Sequence, residues 1–218
     1  MTTYYDELFG NIFVSDYVEG SPRHWRWVAP HDPEGLLELF GDPEYFTCEL
    51  ETFVEEASPR RGAVDPGAAY WHGNQHDMHA IYLFDEAGRP DLTQKWVRWA
   101  LTDRYGTEPD GLDGNDDGGT LSAWYVLSAM GFYPVAGTDR YWIGAPIVDR
   151  ADVVIDGETT LTVIAEDQGP ENLYVQEASV NGERLCEPFL VHDQIPAGSV
   201  LHFRMGPEPA AGGGFACP

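Results

Sequence analysis

The chain has 218 residues, of which 43% are hydrophobic and 13% aromatic, enough to bury a substantial core and too apolar for a disordered chain. Thirty-seven acidic residues against twelve basic ones leave a net charge of −25, which argues against nucleic acid and anionic membrane surfaces as partners. No apolar run approaches the roughly 18 residues a membrane span needs.

Lys95 is the single lysine. Acid excess with lysine depletion fits a protein kept soluble in high salt, where repulsion is screened; a GC-rich genome would also favour Arg over Lys. The opening Met1-Thr2-Thr3-Tyr4 shows neither the basic nor the apolar region of a signal peptide. A cytoplasmic chain is therefore expected, or a secreted one if a leader has been lost. Cys48, Cys186 and Cys217 are odd in number and far apart, which predicts neither a disulfide framework nor a zinc site. Cys48 is expected to be a small buried residue.

Helix signals come first. Asp32-Pro33 and Asp42-Pro43 each pair an N-cap with proline at the first helical position, and Gly41 closes the first of these helices. Phe46, Leu50, Phe53 and Val54 recur at helical spacing. Further helices are predicted over 76–86, from Pro90 with Leu92, Trp96, Trp99 and Ala100 on one face, and over 120–130. Beyond residue 138 the period becomes two, with strands at 140–143, 153–155, 160–165, 174–180, 189–191 and 200–205. Asn181-Gly182 marks a hairpin turn. The fold class is thus α+β: a helical part over 1–138, a small antiparallel β-strand region over 139–206, and a disordered Pro/Ala/Gly-rich tail over 207–218.

Three loop segments carry candidate chemistry. The first runs from Glu19 through Trp25 and Trp27 to His31 and Asp32. Indole faces suit pyranose C–H surfaces and charged groups suit hydroxyls, although each Trp also fits an aromatic core edge. The second packs His72, Asn74, Gln75, His76, Asp77 and His79 into eight residues. With no second His/Cys cluster, its amides and carbonyls suit a hard cation such as calcium better than zinc. The third, Asp110-Gly-Leu-Asp-Gly-Asn-Asp-Asp-Gly-Gly119, opens like an EF-hand but has Trp124 where that loop needs its bidentate Glu. Asp116 and Asp117 are placed for general-base work, or for capping the next helix.

In order and spacing these segments resemble glycoside hydrolase family 92. The resemblance rests on Glu19-Gly and its Trp-rich stretch, Val28-Ala-Pro-His-Asp, His72-Gly-Asn, Thr93-Gln-Lys-Trp, Gly114-Asn-Asp-Asp, Ser122-Ala-Trp-Tyr and Gly131-Phe-Tyr-Pro. It implies part of an α/α-toroid catalytic domain, and calcium-dependent, inverting removal of terminal α-mannose from glycans. It also implies Glu19 as general acid and Asp116 and Asp117 as general-base carboxylates. Asn74 and Gln75 then hold Ca2+, and Trp25, Trp27, His31, Asp32, His72, His79 and Trp124 contact sugar. An N-terminal β-sandwich, as a separate chain or region, is expected to complete the site, and a partial toroid would expose an apolar face. Where the family has Glu, this chain has Gln75. If the acid belongs there instead, only substrates whose leaving group needs no protonation, such as a mannosyl phosphate, would be cleaved. A vestigial mannose-binding fragment without turnover is the other alternative.

Overall fold

A computed structural model describes residues 17–62, 67–155 and 157–217. Among the described residues six helices precede and flank the first strands: α1 (Pro22–Trp25), α2 (Pro33–Phe40), α3 (Pro43–Glu55), α4 (Leu83–Glu86), α5 (Pro90–Asp103) and α6 (Thr120–Ala129). Asp32 Oδ1 accepts from Gly35 N–H at 3.0 Å and Asp42 Oδ1 from Glu44 N–H at 2.8 Å, so both Asp-Pro signals act as N-caps. The helix expected from His76 is shorter. Residues 75–79 form turns, and a 3-10 segment, Ala80–Tyr82, leads into α4.

Eight strands follow: β1 (Phe132–Pro134), β2 (Arg140–Ile143), β3 (Arg150–Ile155), β4 (Glu158–Glu166), β5 (Tyr174–Val180), β6 (Glu183–Arg184), β7 (Phe189–Val191) and β8 (Ser199–Gly206). One sheet has order β1-β2-β7 and the other β3-β4-β8-β5-β6. Pairing is antiparallel except between β4 and β8, which run parallel. The larger sheet is therefore mixed where an antiparallel unit was expected. Between β5 and β6, Asn181 and Gly182 both have positive φ, 53° and 84°, the backbone a two-residue primed turn requires.

Two cores result. The helical one centres on Trp27, Phe46, Phe53, Tyr82, Phe84 and Trp124; the sheet one on Val163, Val175, Leu201, Phe203 and Phe215. Helix α5 links them through Gln94, fully buried, whose Nε2 donates to Gly213 O at 2.9 Å and whose Oε1 accepts from Val175 N–H at 3.0 Å.

That link corrects the expectation of a disordered tail. Phe215 fills the sheet core, and a Cβ on Gly213 or Gly214 would collide with Pro90 or the Val175 carbonyl at 2.4 Å. Cys217 forms a disulfide with Cys186, 31 residues away, so these cysteines are paired after all, while Cys48 is free and exposed rather than buried. Leu39 on α2 is 85% and Val126 on α6 56% exposed. No described helix is long and apolar enough to cross a membrane.

Candidate active site

Glu19 ends the first described loop with φ 50°, a left-handed conformation rare outside glycine. Its side chain is exposed. Directly after it, Ser21 Oγ caps α1 by accepting from Arg23 and His24 N–H. His24 returns the bond: its Nδ1 accepts from Ser21 N–H at 2.8 Å, which leaves Nε2–H to donate to Ala69 O at 2.6 Å. The Glu19 loop is thereby fastened to the bend at Ala68–Ala69 that leads into the second segment.

The second segment turns on Asp77, which is fully buried. Its Oδ2 accepts from Trp71 N–H at 3.0 Å and lies 3.7 Å from His24 Nε2. Burial pushes this carboxyl well above its ordinary pKa, partly countered by the Trp71 N–H. From this platform Asn74 Nδ2 and His76 Nε2 both donate to the Glu19 carbonyl, His76 at 2.9 Å. Gln75 reaches the other way, to Asn115 O at 3.5 Å.

The third segment is locked against the second by glycine. A Cβ on Gly73 would sit 2.2 Å from Asp113 O, and one on Gly114 would sit 2.3 Å from Gly73 O. Only two glycines permit this approach, which Trp71 Nε1–H seals by donating to Asp113 O at 2.9 Å. Asp113 itself is buried, its Oδ1 accepting from Gly62 N–H at 2.7 Å; burial raises its pKa against that bond and Arg104.

Asp116 and Asp117 have different environments. Both Asp116 oxygens are engaged at the start of α6, Oδ1 with Ser122 N–H at 2.9 Å and Oδ2 with Ser122 Oγ at 2.8 Å. These bonds hold its pKa below the usual carboxylate value. Asp117 is exposed, with φ 40°, and its backbone carbonyl accepts from Thr120 Oγ1.

Glu19, Asn74, Gln75, Asn115 and Asp117 are therefore carried by three interlocked loops. Trp25 borders them, its ring 4.5 Å from that of His76. Four expected sugar contacts are corrected. Trp27 is 1% exposed and stacks on Phe40 inside the helical core. Trp124 is sealed on the buried face of α6, its Nε1–H donating to Met78 O at 3.1 Å. His79 donates to Trp27 O at 2.9 Å, and burial lowers its pKa to about 4. His72 is clamped between two phenols. Tyr105 OH donates to Leu121 O, so it accepts from His72 Nε2–H, and Nδ1 accepts from Tyr70 OH. Burial lowers this imidazole to about 3. All four support the site from beneath instead of facing ligand. His31 is exposed near Gly137, and Asp32 is spent on capping α2; among the described residues no bond ties either to the three loops.

Among the described residues no three His, Cys, Asp or Glu side chains gather as a metal cage. The three loops carry instead the Glu19 carbonyl with the Asn74 and Gln75 amides beside it, and the exposed carboxylates of Glu19 and Asp117. An amide turned by 180° exchanges its donor for an acceptor at nearly unchanged heavy-atom positions. Such a set is all oxygen and suits a hard cation. Sequence reasoning placed His76 in the second segment without a role at Glu19, and gave Ser122, Gly73 and Gly114 no part in this site. Paired glycines in two acidic or amide-rich loops were the available signal for the last two.

The profile of the glycosyl hydrolase family 92 catalytic domain matches residues 3–207. The fold is similar to the α-mannosidase BT3965 of Bacteroides thetaiotaomicron, solved with mannoimidazole: TM-score 0.82 and 33% identity over 93% of this chain and 27% of that one. It is also similar to the inverting mannosidase BT2199 of the same organism, with TM-score 0.77 and 33% identity over 93% of this chain and 29% of that one. A secreted glycosidase of Arthroderma benhamiae, otherwise uncharacterised, is 26% identical over 86% of this chain and 23% of its own length. The chain thus spans under a third of the length of each of these relatives.

Proposed function

This chain belongs to glycosyl hydrolase family 92, and we propose that it carries the catalytic centre of a calcium-dependent α-mannosidase that removes terminal α-mannose from glycans with inversion. The observation that supports this most is the convergence of the Glu19, Asn74–Gln75 and Asn115–Asp117 segments through shared carbonyls and interlocked glycines.

In this reading Glu19 is the general acid and protonates the departing glycosidic oxygen. Asp117 is the general base. It takes a proton from water as that water attacks the anomeric carbon from the opposite face, and the C–O bond to the leaving group breaks. Asp116 is a carboxylate with both oxygens already bonded, so it holds the loop and adds negative charge beside Asp117. Glu19 and Asp117 both adopt left-handed backbone, a conformation that chains retain at sites where a side chain must be aimed. Asn74 and Gln75, with the Glu19 carbonyl, would hold Ca2+, which when bound supplies an electrophile for adjacent mannose hydroxyls. The partly exposed Trp25 offers a ring to the sugar.

One residue favours a narrower substrate. Gln75 donates to Asn115 O and is neutral, so it cannot act as an acid. Were the acid required there, hydrolysis would be confined to good leaving groups such as mannosyl phosphate. The disulfide between Cys186 and Cys217 favours an oxidising compartment, and hence an exported protein.

Asp117→Asn tests the base. Hydrolysis of an α-mannobiose should fall by about 10²-fold or more, within the range general-base catalysis supplies, while the circular dichroism spectrum stays unchanged. Wild-type rates in that variant would remove Asp117 from the chemistry.

A further inference from the structure

Glu19 is held in its left-handed conformation by a closed circuit of four residues. The carbonyl before it, Val18 O, accepts from Trp25 Nε1–H at 2.9 Å. Its own carbonyl accepts from His76 Nε2–H at 2.9 Å and from Asn74 Nδ2. The Trp25 and His76 rings then lie against each other, centroids 4.5 Å apart and planes inclined by 37°. Gly20 makes room for this: a Cβ there would come 3.1 Å from Trp25 Cδ1 and Nε1. Two consecutive carbonyls of the loop are thus gripped by two side chains that brace one another.

We propose that His76 is a positioning residue whose Nε2–H, steadied by the Trp25 ring, fixes the main chain of Glu19 and so aims its carboxylate into the site. Asn74 shares the carbonyl but has a second task in calcium binding. When its amide oxygen turns to a cation, its N–H turns away from Glu19, and His76 is the donor that stays. A backbone with positive φ at a residue bearing a Cβ relaxes when its restraints go, because the left-handed region is disfavoured for such residues. Without the His76 bond, residues 17–21 should sample other conformations and Glu19 should lose its aim. His76 does not itself touch the reacting atoms. The inference rests on the reading of Glu19 as general acid, but the conformational part can be measured without turnover.

Two variants separate bond from ring. His76→Phe keeps a ring beside Trp25 and removes the donor; His76→Gln removes the ring and keeps an N–H donor of similar reach. The first readout is amide hydrogen exchange over residues 17–21 in the whole chain. His76→Phe should speed exchange there by about tenfold, the factor set by one hydrogen bond of ordinary net worth, with His76→Gln close to wild type. The second readout is hydrolysis of an α-mannobiose: kcat should fall by about the same factor in His76→Phe, KM should change little, and His76→Gln should recover most of the loss. Unchanged exchange in His76→Phe would overturn the proposal whatever the activity. So would equal effects in the two variants, since the ring and not the bond would then be responsible. Faster exchange in His76→Phe with wild-type kcat would support the hold on the loop and refute Glu19 as the acid.

Discussion

Histidines that look alike in the sequence have opposite fates. His72 and His79 are sealed and neutral, with pKa values lowered by burial to about 3 and about 4. Each is protonated more readily in the unfolded chain than in the folded one, so each contributes stability above its unfolded pKa that is lost as pH falls. For His72 the window lies between its ordinary value near 6.5 and about 3. His72→Gln should reduce that pH dependence. Between pH 7 and pH 5 the wild type should lose about 2 kcal/mol more than the variant in urea unfolding, the linkage of one proton over that interval. Equal losses would show that His72 is not buried neutral. Gln75 tests the proposed metal site at the same scale. Gln75→Glu adds a carboxylate to an oxygen set of low charge and should tighten Ca2+ by about tenfold or more in calorimetric titration, because charge count tunes calcium affinity. An unchanged titration would remove residue 75 from the cation.

Among the elements, the interlock of two loops matters more than any helix. Gly73→Ala would place a methyl 2.2 Å from Asp113 O, a backbone clash that no side-chain rotation relieves. A loss of about 1–3 kcal/mol or more is expected from overpacking, together with reduced activity, because the 74–76 and 115–117 segments would part. Gly88→Ala makes a useful control, since nothing lies within 4 Å of a Cβ there and its φ of 71° alone opposes the change. A Gly73→Ala variant as stable and active as wild type would refute the interlock.

Local signals made much of this legible in the sequence. Asp-Pro caps, the Asn181-Gly182 turn and period-two strands fix elements through contacts within a few residues, and the structure places them where those contacts dictate. The three site loops were legible because clustered carboxylates, amides and glycines are costly to gather without a use. The burial of Trp27 and Trp124 was not, since an indole serves a core and a sugar platform equally well. Nor was the shortened helix at His76: Asp77 is drawn inward to cap Trp71 N–H, and turns replace the first helical residues.

For the molecule as a whole, the helical half with the site and the sheet half are tied by α5 and the C-terminal segment. Gln94 bridges Val175 and Gly213, Arg98 Nη2 donates to Pro146 O at 2.9 Å, and Arg184 Nη2 donates to Ala216 O at 3.0 Å. The disulfide closes this belt across 31 residues. Three cysteines of unknown pairing could not reveal it, because the partner of Cys217 is set by where the tail packs. Reduction, or Cys186→Ser with Cys217→Ser, should cost roughly 3–4 kcal/mol on the chain-entropy account and lower the melting temperature. A melting temperature indifferent to reductant would mean that the tail holds without its covalent tie.

The most direct test of the account is release of mannose from an activated aryl α-mannoside and from an α-mannobiose, with calcium and with a chelator. A calcium-dependent mannosidase centre on this chain predicts release from both substrates with calcium, loss of both on chelation, and loss of both in Asp117→Asn. No release from either substrate under any condition, or release indifferent to chelation and to Asp117, would contradict it.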